Sequence, residues 1–372
     1  MTTPIPAEGR VDLRLDWGGD VVVGAEVRSR RPQPQRLLLG QPPAHALAVI
    51  PRLYSLCGEA QTVAVEALLS LVESGTVDAD RSSGWAERIR LENLREHLWR
   101  LGLDWPGMAG EAPQPGPLRE LLAGRERFAQ DREAARAWAL QTSTTLFGDA
   151  ALSWLDDGDP QTFDRWLHDA PTVLALLLRG LQPRLAGLGR SRAPLFRDAD
   201  LELMVQDVLP RLRDDPEFHW RPDWRGSVFE MGPLARCRER PLVASLLAQR
   251  GAADSWIRVV ARVLELAQGL RSLVEGAAAA HALAWQRRDD EAVVALEMVR
   301  GVLLHWIRVD AGRVGDYRIV APTEWNFHPR GPMHEGLLQL LGSDEQQLRD
   351  AVALQVMALD PCVQYQLEIV HA

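Results

Sequence analysis

Three residue positions offer reactive sulfur: Cys57, Cys237 and Cys362. Cys57 stands in Arg52-Leu53-Tyr54-Ser55-Leu56-Cys57-Gly58, just ahead of a helical run. A thiolate at a helix N-terminus is stabilised by the positive end of the dipole, which lowers its pKa. Cys362 stands in Leu359-Asp360-Pro361-Cys362, directly after another helical run. Taken singly, each thiol reads better as a small buried hydrophobe than as a reactive group, and Cys237, between two arginines, reads as structural. The spacings Cys-x-x-Cys and His-x-x-x-His are absent, so no ordinary zinc site is indicated. No Gly-x-Ser-x-Gly elbow, phosphate loop or dinucleotide fingerprint occurs. The pairs Asp156-Asp157 and Asp289-Asp290 fall in polar turns and read as solvated, and His281 and His305 lie in apolar surroundings that suit core histidines. Motif by motif, nothing points to an enzyme.

The elements that must position those thiols follow from periodicity. Val11, Leu13, Leu15 and Trp17 alternate with polar residues, and Gly18-Gly19-Asp20 turns into Val21-Val22-Val23, which predicts a hairpin over Arg10 to Val27. Arg28 to Pro43, basic and proline-rich, predicts a surface connection. Helical spacing then predominates to Arg250, with one segment over Trp85–Leu101 and another over Pro117–Leu146 interrupted at Gly124. Further helices are predicted over Phe163–Leu185 (broken by Pro171), Asp200–Leu212, Pro233–Gln249 and Asp254–Leu283. Short strands follow at Ala292–Val299, Val302–Val309 and Arg313–Val320, with Ala311-Gly312 as a turn. A last helix over Ser343–Met357 has Ser343 as its cap and Gln346 as the capping-box partner, and a short tail completes the chain. The pattern predicts one mainly α domain over residues 1–372, with small β-sheets at both ends, an α+β arrangement.

Composition narrows the partners. The chain has 372 residues, 46% hydrophobic and 25% charged, enough to bury a sizeable core. Its net charge is −9, and all 42 basic residues are arginine, spread evenly. Such a chain is a poor electrostatic match for nucleic acid or an anionic membrane. No apolar run is long enough to span a bilayer, and Met1 to Pro6 lacks the features of a secretory signal. Three distant cysteines suit reduced thiols, so a cytoplasmic location is expected.

An ordered set of segments carries a resemblance. Asp360-Pro361-Cys362-Val363-Gln364-Tyr365-Gln366-Leu367-Glu368 is similar to the Asp-Pro-Cys-x-x-Cys-x-x-His motif of nickel–iron hydrogenase large subunits, and Arg52 to Ala64 resembles their Cys-Gly-x-Cys-x-x-x-His motif. Glu8-Gly9 with the hairpin resembles their opening strand, and Glu96-His97-Leu98-Trp99-Arg100-Leu101 their second, His-containing motif. Gly232-Pro233-Leu234-Ala235-Arg236, the stretch Glu297 to Trp306, and Val320-Ala321-Pro322-Thr323-Glu324-Trp325-Asn326 resemble three more segments of those subunits. The seven matches run in order over nearly the whole chain.

The departures decide what the resemblance implies. The positions of the bridging thiolates hold Ala60 and Tyr365, and the motif histidines are replaced by Ala64 and Glu368. Only Cys57 and Cys362 remain, at positions that bind nickel terminally in the enzymes. Two thiolates do not suffice for the bimetallic site, so hydrogen oxidation is not expected. The tail stops shortly after Glu368, without the extension of hydrogenase precursors. This combination resembles the HupK/HoxV family of hydrogenase maturation proteins, regarded as scaffolds for the iron part of the nickel–iron site. The resemblance implies a non-enzymatic scaffold in which Cys57 and Cys362 transiently hold an Fe(CN)2(CO) fragment, with no nickel. Low-spin ferrous iron of this kind takes soft thiolates as its remaining ligands. Arg300 matches the arginine beside one cyanide, and Thr323, after Pro322, the hydroxyl bonded to the other. Implied partners are accessory chaperones that deliver the fragment and the hydrogenase large-subunit precursor that receives it. Two alternatives stand beside this one: a metal-free relative acting as an interaction protein in hydrogenase assembly, and a nickel or zinc enzyme using Cys57, Cys362 and a histidine such as His97. Glu8, His97, Asp104 and Glu297 are expected to make structural hydrogen bonds.

Overall fold

The computed structural model describes residues 9–31, 34–77, 79–148, 158–279 and 282–372. Glu8, Asp156, Asp157 and His281 lie outside the described residues. Two small sheets and a largely helical remainder give the expected α+β architecture.

The hairpin forms as β1 (Arg10–Trp17) and β2 (Val22–Arg30), paired antiparallel. Four more strands, β3 (Leu283–Arg288), β4 (Glu291–Met298), β5 (Gly301–Asp310) and β6 (Arg313–Val320), make an antiparallel meander. Ala311 and Gly312 both take positive φ, the geometry of a two-residue hairpin turn. The strand β7 (Gln364–His371) adds to the first sheet parallel to β1, in the order β2-β1-β7.

Every residue of β4 is buried because both faces of the meander are covered. Ala292, Val294, Leu296 and Met298 pack under the Gly58–Ser74 helix, while Val293 and Ala295 join the core of the Leu201–Asp214 helix. The Ser255–Val274 helix runs through the largest core cluster, against the Arg132–Phe147, Ala79–Trp99 and Glu345–Leu359 helices. The first sheet lays Val11, Leu13 and Leu15 on Val352 and Val356 of that last helix. Among the described residues, no helix is long and apolar enough to cross a membrane.

Several sequence expectations need correction. The tail is not a loose end but β7. The Asp254–Leu283 helix is Ser255–Val274, and the residues after it form β3, whose alternation is short and polar. The Pro117–Leu146 run breaks at Asp131 rather than Gly124, because the Asp131 carboxylate caps a new helix by accepting from the Ala134 amide at 3.0 Å. Asp344, not Ser343, caps the Glu345–Leu359 helix and accepts from the Gln347 amide at 2.9 Å. The basic, proline-rich connection is not wholly a surface feature: Arg31 and Leu38 are buried.

Candidate functional site

Cys57 ends a 3-10 turn (Ser55–Cys57) and immediately precedes the Gly58–Ser74 helix. Its amide donates to the Tyr54 carbonyl at 3.2 Å, and Arg95 reaches across to the Leu56 carbonyl, so the turn is tied on both sides. The amides opening the helix are claimed by a different residue: the Glu92 carboxylate accepts from Glu59 N at 2.8 Å and Ala60 N at 3.1 Å. A relay fixes the other side of the thiol. Tyr317 Oη lies 2.7 Å from His305 Nδ1, His305 Nε2 lies 2.9 Å from Gln61 Oε1, and the Gln61 amide donates to Cys57 Sγ at 3.7 Å. His305 is thus the satisfied core histidine that its surroundings suggested.

Cys362 is positioned by Asp360. The Glu345–Leu359 helix ends on Asp360, which takes the left-handed conformation at φ 52°. An aspartate tolerates that region better than most residues. Its carboxylate collects three arginines from three segments: Arg100 Nε at 2.8 Å, Arg262 Nη2 at 3.0 Å and Arg300 Nε at 3.2 Å. Burial pushes its pKa up, but Arg300, Arg262 and Arg100 together hold it well below the usual carboxylate range. The Pro322–Asn326 helix then meets the sulfur. The Cys362 amide donates to Thr323 Oγ1 at 3.2 Å, which leaves the hydroxyl proton free for Cys362 Sγ at 3.1 Å. Pro322 opens that helix and is buried, fixing the approach of Thr323.

Arg31 completes the surroundings. It stands just past β2, is buried, and donates from Nη2 to Cys362 Sγ at 2.8 Å. Its Nε pairs with the buried Glu324 at 2.6 Å, and Glu324 also accepts from Ser29 Oγ at 3.1 Å. Arg31 was absent from the sequence expectations. Its only sequence signal was position, at the end of the hairpin that carries the opening-strand resemblance.

The two sulfurs have pKa values shifted in opposite directions. At Cys362 burial favours the neutral thiol, but the charges of Arg31 and Arg300 and the hydrogen bonds from Thr323 and Arg31 outweigh it, so its pKa falls below the ordinary thiol value. At Cys57 burial is the larger effect and is reinforced by the charges of Cys362 and Glu92, so its pKa rises despite Arg300 and Gln61. The expected lowering at Cys57 by the helix N-terminus is therefore corrected: burial outweighs it, and Glu92 occupies the amides of Glu59 and Ala60 that open the helix. Burial likewise pushes Glu92 up, to about 7.

Cys57 and Cys362 line one cavity of about 1050 Å³, together with Arg31, Tyr54, Trp99 and Arg100. Arg300 is not on that wall. It sits behind, buried, donating Nε to the Asp360 carbonyl at 3.1 Å and Nη2 to Glu96 at 2.9 Å, and its charge acts on both thiols. Its third nitrogen, Nη1, is buried without a hydrogen-bond partner. Of the other expected residues, His97 is occupied on both ring nitrogens, by Glu265 at 3.0 Å and Arg262 at 3.4 Å. Glu297 pairs with Arg236 at 2.7 Å, and Asp104 with Arg100. Cys237 is buried in the largest core cluster. Among the described residues, no group of three or more His, Cys, Asp or Glu side chains is arranged to hold a metal ion.

The fold is that of a nickel–iron hydrogenase large subunit, with the thiol pair at the place where its two ends meet. Residues 248–364 match the family model described as nickel-dependent hydrogenase. The structure is similar to the Ni-Fe-Se hydrogenase of Desulfomicrobium baculatum, with a TM-score of 0.58 at 14% identity over 94% of this chain and 95% of that one. A Ni-Fe-Se hydrogenase from D. vulgaris Hildenborough gives 0.55 at 16% identity over 93% and 94%. Closer in sequence are the hydrogenase expression/formation proteins HoxV of Cupriavidus necator (32% identical, 100% of this chain and 98% of the relative) and HupK of Rhizobium leguminosarum (31%, 98% and 97%). The chain belongs to this HoxV/HupK family of hydrogenase expression/formation proteins.

Proposed function

We propose that the protein is a maturation scaffold that holds an Fe(CN)2(CO) fragment on Cys57 and Cys362 and passes it to a hydrogenase large subunit. The observation carrying this reading is the meeting of two thiols, far apart in sequence, in one cavity; among the described residues, no group of three or more His, Cys, Asp or Glu side chains is arranged to hold a metal ion. A bare metal ion wants more ligands than two thiolates supply. A fragment that brings three strong-field ligands of its own does not.

The surrounding groups suit such cargo. Cys362, whose pKa is lowered, is the readier ligand, whereas Cys57, whose pKa is raised, gives up its proton less easily. Bound cyanides are hydrogen-bond acceptors, and the Arg31 guanidinium on the cavity wall is a donor beside the sulfur, with the charge of Arg300 behind it. The Thr323 hydroxyl is already in place at the sulfur. Two ligands hold less tightly than four, which favours handover over storage. Delivery to the thiols would come from accessory chaperones in the cytoplasm, and the cavity is far larger than the fragment alone requires.

Infrared spectroscopy of protein co-produced with the iron-ligand assembly machinery tests the proposal. Cyanide and carbonyl stretching bands are expected in the wild-type protein and should vanish in Cys57→Ala and Cys362→Ala. Their absence from the wild type would instead favour a metal-free interaction protein.

A further inference from the structure

The Arg31 guanidinium lies 2.8 Å from Cys362 Sγ and is engaged on its other side as well. Glu324, itself buried and bonded to Ser29, holds its Nε, while Gly9 covers its stem. A methyl group at Gly9 would come within 3.2 Å of Arg31 Cγ and 3.0 Å of Val363 Cγ1, so the packing over the arginine is tight. Any metal bound to Cys362, at a bond length of about 2.3 Å, therefore sits beside a fixed positive charge, with Arg300 as a second one behind. Arginine does not relieve this by losing a proton.

We propose that Arg31 makes the thiol pair selective by charge, turning away bare divalent cations and admitting a metal fragment whose own anionic ligands have neutralised it. This rests on the carrier reading above. There the two cyanides cancel the charge of ferrous iron, so the fragment arrives uncharged and suffers no repulsion from either guanidinium. A free zinc ion keeps its double charge at the same place and finds only two thiolates. A carrier with two cysteines needs such a barrier, because thiolates bind soft and borderline cations generally. The opposite arrangement, a carboxylate in place of Arg31, would collect those cations.

The test is a zinc titration of the full chain against a chromophoric chelator at a series of pH values, with affinities compared for the ionised thiols, because losing Arg31 also raises the Cys362 pKa. Arg31→Met/Glu324→Gln, which removes the charge without stranding the carboxylate, is expected to bind zinc about tenfold or more tighter than wild type. Arg31→Gln, which keeps a donor for the sulfur but no charge, should follow it, and gives the same answer should the double variant not fold. Arg31→Lys should remain within about threefold of wild type. Adding Cys362→Ser should abolish the gain, assigning it to this site. Wild-type zinc affinity in both uncharged variants overturns the proposal, as does an equal gain in Arg31→Lys. A wild type without cyanide bands would overturn the carrier reading and leave the zinc result standing by itself.

Discussion

Cys57, buried, and Cys362, half-buried, line the same cavity but are tuned in opposite directions, and the difference is measurable without any metal. Alkylation follows the thiolate fraction. With the Cys362 pKa lowered and that of Cys57 raised, iodoacetamide at pH 7.5 should label Cys362 before Cys57 and Cys237, as mass spectrometry of brief reactions would show. Uniform labelling of all three would contradict the asymmetry. Thr323→Val removes the hydroxyl donor at 3.1 Å, so the Cys362 pKa should move up and its labelling slow at the same pH. Cys57, Cys362, Arg300 and Thr323 were legible in the sequence only through the ordered resemblance, since each alone had a structural reading, and for the two cysteines it was the better one. Arg31 was not legible, because a basic residue beside prolines reads as solvent-facing. It is the fold that buries it, by folding the strand end over Glu324.

At the level of elements, the Asp360 turn is the hinge on which the site depends. Three arginines from the segment after the Ala79–Trp99 helix, from the Ser255–Val274 helix and from the β4–β5 turn converge on one carboxylate. Asp360→Asn would leave buried cations undercompensated, which costs about 3–5 kcal/mol and should lower the midpoint of thermal unfolding. The wild-type pair also has a defined pH signature. The folded pKa of Asp360 lies below its unfolded value, so its stabilisation is complete above about pH 4 and is lost as pH falls toward the folded value. Unfolding midpoints recorded from pH 6 down to pH 3 should therefore flatten in Asp360→Asn relative to wild type. Gly301, next to Arg300, takes φ 124°, and a Cβ there would stand 2.5 Å from Met231 Cβ. Gly301→Ala should displace Arg300 and, in loaded protein, shift the cyanide bands even where folding survives. Helix boundaries were less legible than helices themselves. Asp131 and Asp344 outcompeted Gly124 and Ser343 because a carboxylate accepting from a backbone amide settles where a helix begins.

For the molecule as a whole, the first sheet joins residues from both ends of the chain: β1 is flanked by β2 and, in parallel, by β7. The strand β7 escaped sequence analysis because its half-exposed, polar-rich pattern looks like a tail until a partner strand is known. The hairpin, the meander and most helices were legible because their periodicity is local. Removing residues 364–372 should leave β1 with an unpaired edge, free the segment bearing Cys362, and eliminate cyanide bands while much of the helical signal in circular dichroism persists. Retention of the bands in that truncation would show that the sulfur is positioned without the strand.

The hydrogen bond from Arg31 to Cys362 spans 331 residues of sequence. A contact of that range forms late, since closing so long a loop is worthwhile only after the intervening helices have packed. Until β7 has joined β1, Cys57 and Cys362 are not yet held on a common cavity wall. On the carrier reading proposed above, loading would follow the packing of these distant segments rather than precede it.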